Sequence, residues 1–346
     1  MHRRSVPAIL FALSSLTATV PAWGQVNLGP ITVGAGLRTS YEHDAVEKGA
    51  DTDTFPLNSI RLYVNGPVTS KIKFMFNTEY DSNTNKVSVL DAVARVEIAP
   101  KFNIWAGRLL PPSDRANLAG PYYNSHWNVY QDGIQNGHPF VFQGRDNGVV
   151  YWGDFKKVKV SAGAFDGKSA TGNADVLGAA RVQIDLWDKE DGYYLNSTYY
   201  GAKKLLAIGG ATQVQSGNTA TTVDFLLERK LANAGVITLE GEFANYNNLG
   251  GYYAGYKKSS GTYGLAAYIL PKSFGTGKIQ LLGKFAKADF SHAIGLTSFN
   301  QKTTEVNVNY LIKEFNARVM TFYKKTNFSA TRPDFWTAGI GFQIQI

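Results

Sequence analysis

From Trp336 to Ile346 the chain places aromatic and aliphatic side chains at even positions (Trp336, Ile340, Phe342, Ile344, Ile346). Small or amide side chains take the odd ones (Thr337, Gly339, Gly341, Gln343, Gln345). Successive side chains of a strand point to opposite faces, so this is a strand with one oily and one polar face. The pattern returns along the chain. Ile72, Phe74, Phe76, Thr78 and Tyr80 alternate with Lys71, Lys73, Met75, Asn77 and Glu79, and Val306, Val308, Tyr310 and Ile312 with Glu305, Asn307 and Asn309. Likewise Ile237, Leu239 and Phe243 oppose Thr238, Glu240 and Glu242, while Val182, Ile184 and Leu186 oppose Arg181, Gln183 and Asp185. Charges confined to one face of separate strands are costly in a sandwich core and expected where that face meets water in a lumen. The pattern predicts an all-β fold, a closed antiparallel transmembrane β-barrel. A soluble β-sandwich with its polar face outward is the competing architecture.

The N-terminus supports export. Arg3 and Arg4 precede an apolar stretch from Val6 to Val20, and Ala22-Trp23-Gly24 offers small side chains where a signal peptidase reads them. Residues 1–24 are expected to be a signal peptide and 25–346 a single barrel domain. No other segment runs to eighteen apolar residues, and mean hydropathy is -0.19, which excludes a helical membrane protein but not a barrel. Cysteine is absent, so neither a disulfide scaffold nor a thiolate metal site is available. Removing residues 1–24, with two arginines and no acid, lowers the formal charge from +8 to +6. The remaining lysines and arginines are scattered along the chain, without the dense basic helix or tail of a nucleic-acid binder.

Sixteen segments alternate: 31–42, 58–65, 71–80, 90–98, 102–108, 147–153, 157–165, 177–194, 204–215, 221–231, 235–246, 261–270, 278–287, 303–312, 315–324 and 334–346. The stretch 177–194 is taken as one long strand, because a turn at Asp188 to Gly192 would make the total odd. Short connectors such as Ala99-Pro100-Lys101 and Lys313-Glu314 alternate with longer linkers, including 43–57, 166–176 and 216–220. Short turns on one rim and long loops on the other suit a barrel hairpinned through a membrane. The first and last strands should pair, removing both edges. Aromatic residues near strand ends, among them Tyr41, Tyr63, Tyr80, Trp105, Trp152, Tyr193, Tyr194, Tyr199, Tyr200, Tyr246, Tyr268, Phe322, Tyr323 and Trp336, are girdle or rim candidates.

The longest irregular stretch, 109–146, opens on Leu110-Pro111-Pro112 and carries a short helical signal at 113–118. A loop of this length is unusual without a task, and folding inward to narrow the channel is one. Candidates for the constriction are Arg115, His126, Asp132, Arg145 and Asp146, with Arg108 on the adjoining strand end; His138 would also be available there. An arginine fork suits a passing oxyanion, and the aspartates would hold it in place. Arg61, Lys71, Lys73, Arg95, Arg181, Lys284 and Arg318 are predicted to line the pore, as are Glu79, Asp91, Glu97, Asp185, Asp224, Glu228, Glu240, Glu242 and Glu305. The two signs nearly cancel, so selectivity depends on where positive charge concentrates. No HExxH arrangement, close histidine pair or assembled triad is present, and Gly34-Ala35-Gly36 and Gly339-Ile340-Gly341 fit close strand approach. No enzyme activity, cofactor or metal is expected.

Leu90-Asp91-Ala92-Val93-Ala94-Arg95-Val96, Ala106-Gly107-Arg108-Leu109-Leu110-Pro111-Pro112, Gly178-Ala179-Ala180-Arg181-Val182-Gln183 and Tyr193 to Gly201 carry a resemblance. By their order and spacing the mature chain resembles the phosphate-selective porin O and P family in the broad sense. The resemblance implies a sixteen-stranded outer-membrane channel, a homotrimer, and an infolded third loop. Two departures stand out: Arg115 and Arg145 lie far apart, and the chain ends on Ile346 rather than on phenylalanine. The expected function is passive diffusion of small hydrophilic solutes with a mild preference for anions, phosphate among them. The expected surroundings are outer-membrane lipid and lipopolysaccharide. The alternative is a non-conducting envelope scaffold or a barrel that holds a partner.

Overall fold

The computed structural model describes residues 30–82, 85–134, 144–167, 175–232, 234–253, 255–291, 296–329 and 332–346. The expected signal segment 1–24 and His138 lie outside them. One antiparallel sheet runs through β1 (Thr32–Val46), β2 (Thr52–Thr54), β3 (Ser59–Pro67), β4 (Ile72–Asp81), β5 (Lys86–Ala99), β6 (Phe102–Leu109), β7 (Asp146–Phe155), β8 (Val158–Phe165) and β9 (Leu177–Asp185). It continues through β10 (Leu205–Gln215), β11 (Asn218–Lys230), β12 (Val236–Asn247), β13 (Lys258–Phe274), β14 (Gly277–Ser291), β15 (Phe299–Lys313), β16 (Ala317–Phe328) and β17 (Phe335–Gln345). β2 is a three-residue arm on β1, which leaves sixteen wall strands. β1 pairs with β3 on one side and with β17 on the other, from Gly36↔Gln345 to Val46↔Phe335, so the sheet closes without a free edge.

Burial follows the alternation. Val223, Phe225, Phe243, Leu281, Phe285, Val306, Val308 and Ile340 are exposed on the outer face. Arg61, Glu79, Arg181, Asp224, Glu240, Lys284, Glu305 and Arg318 are buried on the inner one. The only helix among the described residues, α1 (Arg115–Ala119), is capped by the Asp114 carboxylate, which accepts from Asn117 N at 2.8 Å.

Three expectations need correction. The 177–194 strand is not continuous: 186–189 and 202–204 stay at the mouth, where Leu186 N and Asp188 N still donate to Leu206 O and Lys204 O, and the stretch from Glu190 to Tyr200 folds into the barrel before β10 begins. The cause is charge. Glu190 is fully buried against Arg115 and Gln183, partners that exist only inside. At 216–220 no long linker exists, because Ser216 (φ 50°) and Gly217 (φ 81°) make a two-residue hairpin turn. Finally, of the girdle candidates only Tyr41, Tyr80, Tyr268, Tyr323 and Trp336 sit at outward positions of the wall. Trp105, Trp152, Tyr193 and Tyr246 are buried within an apolar cluster with Leu110, Leu118, Ile134 and Phe290. Tyr63 and Phe322 likewise take inward positions, facing Tyr122 and Trp127. The barrel interior thus has an aromatic core on which the infolded chain rests.

Candidate functional site

Two segments enter the lumen from opposite rims. Loop 110–145 follows β6 and descends from the rim of long loops. Segment 186–204 joins β9 to β10 and rises from the rim otherwise closed by short turns such as 100–101, 156–157 and 275–276. They meet at Arg115. Its Nη1 and Nη2 donate to the two carboxylate oxygens of Glu190 at 2.9 and 2.5 Å, and Nη1 also donates to the Asn196 carbonyl at 2.8 Å. Around this clasp Leu195 N donates to Leu118 O (3.4 Å) and Ser197 N to Tyr123 O (3.0 Å), and Tyr193 Oη donates to Leu110 O (2.8 Å). The Ser125 and Ser197 hydroxyls lie 2.8 Å apart. Glu228 on β11 holds the return of the segment by accepting from Thr198 Oγ1 at 2.6 Å and Gly201 N at 2.8 Å. Burial alone would raise the Glu190 carboxyl; the Arg115 guanidinium outweighs it and brings it down to about 2.

Wall glycines make room for the loop. A Cβ on Gly36 would stand 2.7 Å from the Tyr122 ring, and one on Gly341 2.6 Å from Trp127. Gly36 and Gly341 thus let loop aromatics approach the wall, whereas their partners Gly34 and Gly339 lie against neighbouring wall strands, at Ile346 O and at Phe322 and Tyr41 O.

The loop crosses the lumen between two differently charged walls. At one end it meets Arg38 of β1, Arg61 of β3 and Arg318 of β16. Arg318 donates to Asn124 O (2.6 Å), Tyr122 O (3.2 Å) and Gln343 Oε1 (2.8 Å). Arg38 donates to Trp127 O at 3.1 Å and stacks 4.0 Å from that ring. Neither has a carboxylate within ion-pair distance among the described residues, whereas Arg61 pairs with Glu79. At the other end stand Asp224 of β11 and Glu240 and Glu242 of β12. Arg181 takes Asp224 at 2.5 and 2.8 Å, and the Tyr263 hydroxyl donates to Glu240 at 2.8 Å. Both Glu242 oxygens are buried without a hydrogen-bond partner among the described residues.

The remaining predicted residues are placed as follows. His126 is fully buried, and its Nε2 accepts from Lys284 Nζ at 3.1 Å; burial, with Lys284, Arg38 and Arg318 nearby, holds the imidazole well below its usual range and neutral. Lys284 also pairs with Asp132 at 2.6 Å. Arg145 pairs with Asp91 at 3.2 Å. Asp146 accepts from Asn147 N and Gly167 N, both at 2.8 Å, and so shapes the adjacent loop. Lys73 meets Glu97 at 2.6 Å at the short-turn mouth, where Arg95 lies 5.4 Å from the Trp105 ring. Lys71 lies in the turn before β4, not in the wall. Arg108 points the other way. On β6 the inward positions are Asn103, Trp105 and Leu109, so Arg108 stands on the outer face, donating to the Val89 carbonyl at 3.2 Å.

Open space lies beside the cationic wall. A cavity of about 390 Å³ runs between β1, β3, β4 and β5 and the infolded chain, lined by Arg61, Tyr63, Asn77, Asp91, Arg145, Tyr194 and Asn196. It reaches Thr32, Asn65 and Ile346 at the short-turn mouth. Sequence reasoning missed Arg38, Tyr194, Asn196 and Glu190. Arg38 is recoverable from the parity of β1, and the run Asp188-Lys189-Glu190-Asp191 is a poor fit to a wall strand.

Known proteins bear on this geometry through fold alone. No protein-family model matches the sequence, and no curated protein matches it. Among solved structures, the trimer form of OmpT, an outer membrane protein of Vibrio cholerae, superimposes with a TM-score of 0.57 at 13% identity, over 92% of this chain and 100% of that one. An anion-selective porin from Comamonas acidovorans gives 0.57 at 10% identity over 91% and 99%. The chain has the fold of a sixteen-stranded porin. Salmonella typhi OmpF in complex with daunomycin matches equally, with a TM-score of 0.57 at 13% identity over 92% and 99%. The porin fold places its polar face inward, as here, and its sheet closes on itself.

Proposed function

We propose that this protein is a bacterial outer-membrane porin for passive diffusion of small hydrophilic solutes, and that it prefers anions. The observation that carries the reading is the coincidence of the cavity with the cationic wall. Arg61 and Arg145 line it, with Arg38 beside Arg61, while the Glu242 carboxyl, without a hydrogen-bond partner among the described residues, lies at the far end of the loop, among residues that do not border it. Inorganic phosphate is one anion such donors would admit, and a guanidinium is well matched to it. Residues 1–24 would direct export. Assembly as a trimer is part of the proposal, supported by the shared fold with the trimer form of OmpT.

In a planar bilayer under a salt gradient, the purified protein should give stepwise conductance and a reversal potential displaced toward the anion equilibrium value. A reversal potential on the cation side would remove the anion preference. One observation favours a second reading. Arg115, His126 and Arg318 are 0% exposed, and infolded chain occupies much of the lumen. A non-conducting scaffold would look like this, and absence of conductance from correctly folded protein would select it.

A further inference from the structure

Outside the lumen, most outward side chains of the wall are apolar, and one cluster near the long-loop rim is cationic. Lys287 of β14, Lys302 of β15 and Lys325 of β16 are exposed on the outer face. Lys287 and Lys302 are direct cross-strand partners, and Lys325 is diagonal to Lys302, since it pairs with Thr304. Like charges directly opposite on a sheet are destabilising, so this arrangement calls for a counter-charge. Asp289 supplies one, 3.2 Å from Lys287; Lys302 and Lys325 have no ion-pair partner among the described residues. The corresponding positions of β10, β11 and β12, Thr212↔Thr221 and Thr221↔Asn245, carry no charge.

Height fixes the surroundings. From outward Ile312 at the short-turn rim to Lys302, strand rise and a tilt of about 40° give about 25 Å along the barrel axis, the height of the apolar band of such barrels. Just below the lysines lie Phe285 and Tyr323, the latter 5.7 Å from Trp336, an aromatic layer of the kind that marks the hydrocarbon boundary. The lysines therefore stand at head-group level of the leaflet on the long-loop side.

We propose that Lys287, Lys302 and Lys325 bind the phosphates of an outer-leaflet glycolipid, a phosphorylated and multiply acylated disaccharide whose chains lie against the band below. The site rests on the outer-membrane reading above. The three ammonium groups span about two strand spacings, roughly 10 Å, enough to engage more than one phosphate oxygen of one head group. Charge complementarity commits the site to a phosphorylated lipid.

The test uses the full-length folded protein in detergent, with diphosphoryl lipid A and its phosphate-free form as probes and native mass spectrometry as the readout. Diphosphoryl lipid A should bind the wild type on the order of a hundredfold more tightly than the phosphate-free form, and K287Q/K302Q/K325Q should abolish that margin. A control triple change on the opposite rim, K71Q/K101Q/K156Q, should leave it intact. Equal binding of the two lipids to the wild type would overturn the site without any variant being needed. So would unchanged discrimination in the lysine variant, or its loss in the control. Conductance in plain phospholipid is recorded on the same preparations: a silent barrel that discriminates the lipids would sink only the channel, and a conducting barrel that does not would sink only the lipid site.

Discussion

The two ends of the infolded loop are held by opposite means. At Arg38 and Arg318 cationic forks grip carbonyl oxygens of the loop with no carboxylate of the described residues at ion-pair distance, whereas at Asp224 two arginines compete for acid and Glu242 beside them has no partner among the described residues. Counting lumen charges gives near neutrality, yet cations without a carboxylate partner among the described residues gather at one end, and the other end holds paired Asp224 and the partnerless Glu242 carboxyl. Location decides what a solute meets: Arg61, Arg145 and Asp91 border the cavity, and Asp224, Glu240 and Glu242 do not.

The sharpest way to break this contrast is to release the loop at its centre. Arg115→Ala leaves Glu190 buried without its cationic partner, held only by Gln183 and Tyr199, and removing one partner of a buried pair costs about 3–5 kcal/mol. Thermal unfolding should fall accordingly, and single-channel conductance should rise as the two segments separate. The exchange of R115E with E190R should recover part of both; if it recovers neither, the clasp does not set the bore.

A second variant, R61Q/R145Q, removes the cavity cations and leaves Glu79 and Asp91. The reversal potential should cross to the cation side at low salt. That difference should shrink toward 1 M salt, where screening acts within about 3 Å.

At the other end, Glu242→Met should raise stability by about 1 kcal/mol by removing a buried polar group that has no hydrogen-bond partner among the described residues. Permeability ratios should not move. A shift in selectivity from this variant would mean that the acidic end also faces the solute.

The smallest effect is expected from acid. The Glu190 carboxyl is held at about 2, below its usual 4.5, so its contribution is fully present above about 4.5 and is lost only as pH falls through about 2. Conductance recorded at pH 7 and pH 4 should agree, and a widened state should appear only toward pH 2. Opening already at pH 4 would place control of the clasp on another group.

Much of this architecture was legible because a barrel wall obeys a period of two. The faces of β4, β9, β12 and β15 follow from counting, as does closure between β1 and β17. Counting also would have turned Arg108 outward, since it alternates with Trp105 and Leu109; its nearness to the loop suggested the opposite. Segment 186–204 was hidden for a physical reason. Tyr193, Leu195 and Tyr199 make an apolar series suited to lipid, and here it faces an aromatic interior instead. A chain cannot reveal from composition which of two apolar environments it enters. Nor could spacing show that Arg115 would be spent on Glu190, because that pair joins segments from opposite rims.

The seam between β1 and β17 has a consequence for biogenesis. Its eleven paired positions join the two ends of the described chain, so every intervening hairpin can form while the cylinder is still an open, curled ribbon. Sealing is the step of greatest sequence separation and therefore the one most exposed to loop-closure entropy. Changes at Gly36 or Gly341, which seat Tyr122 and Trp127 beside that zip, should accordingly delay maturation more than they alter the finished channel.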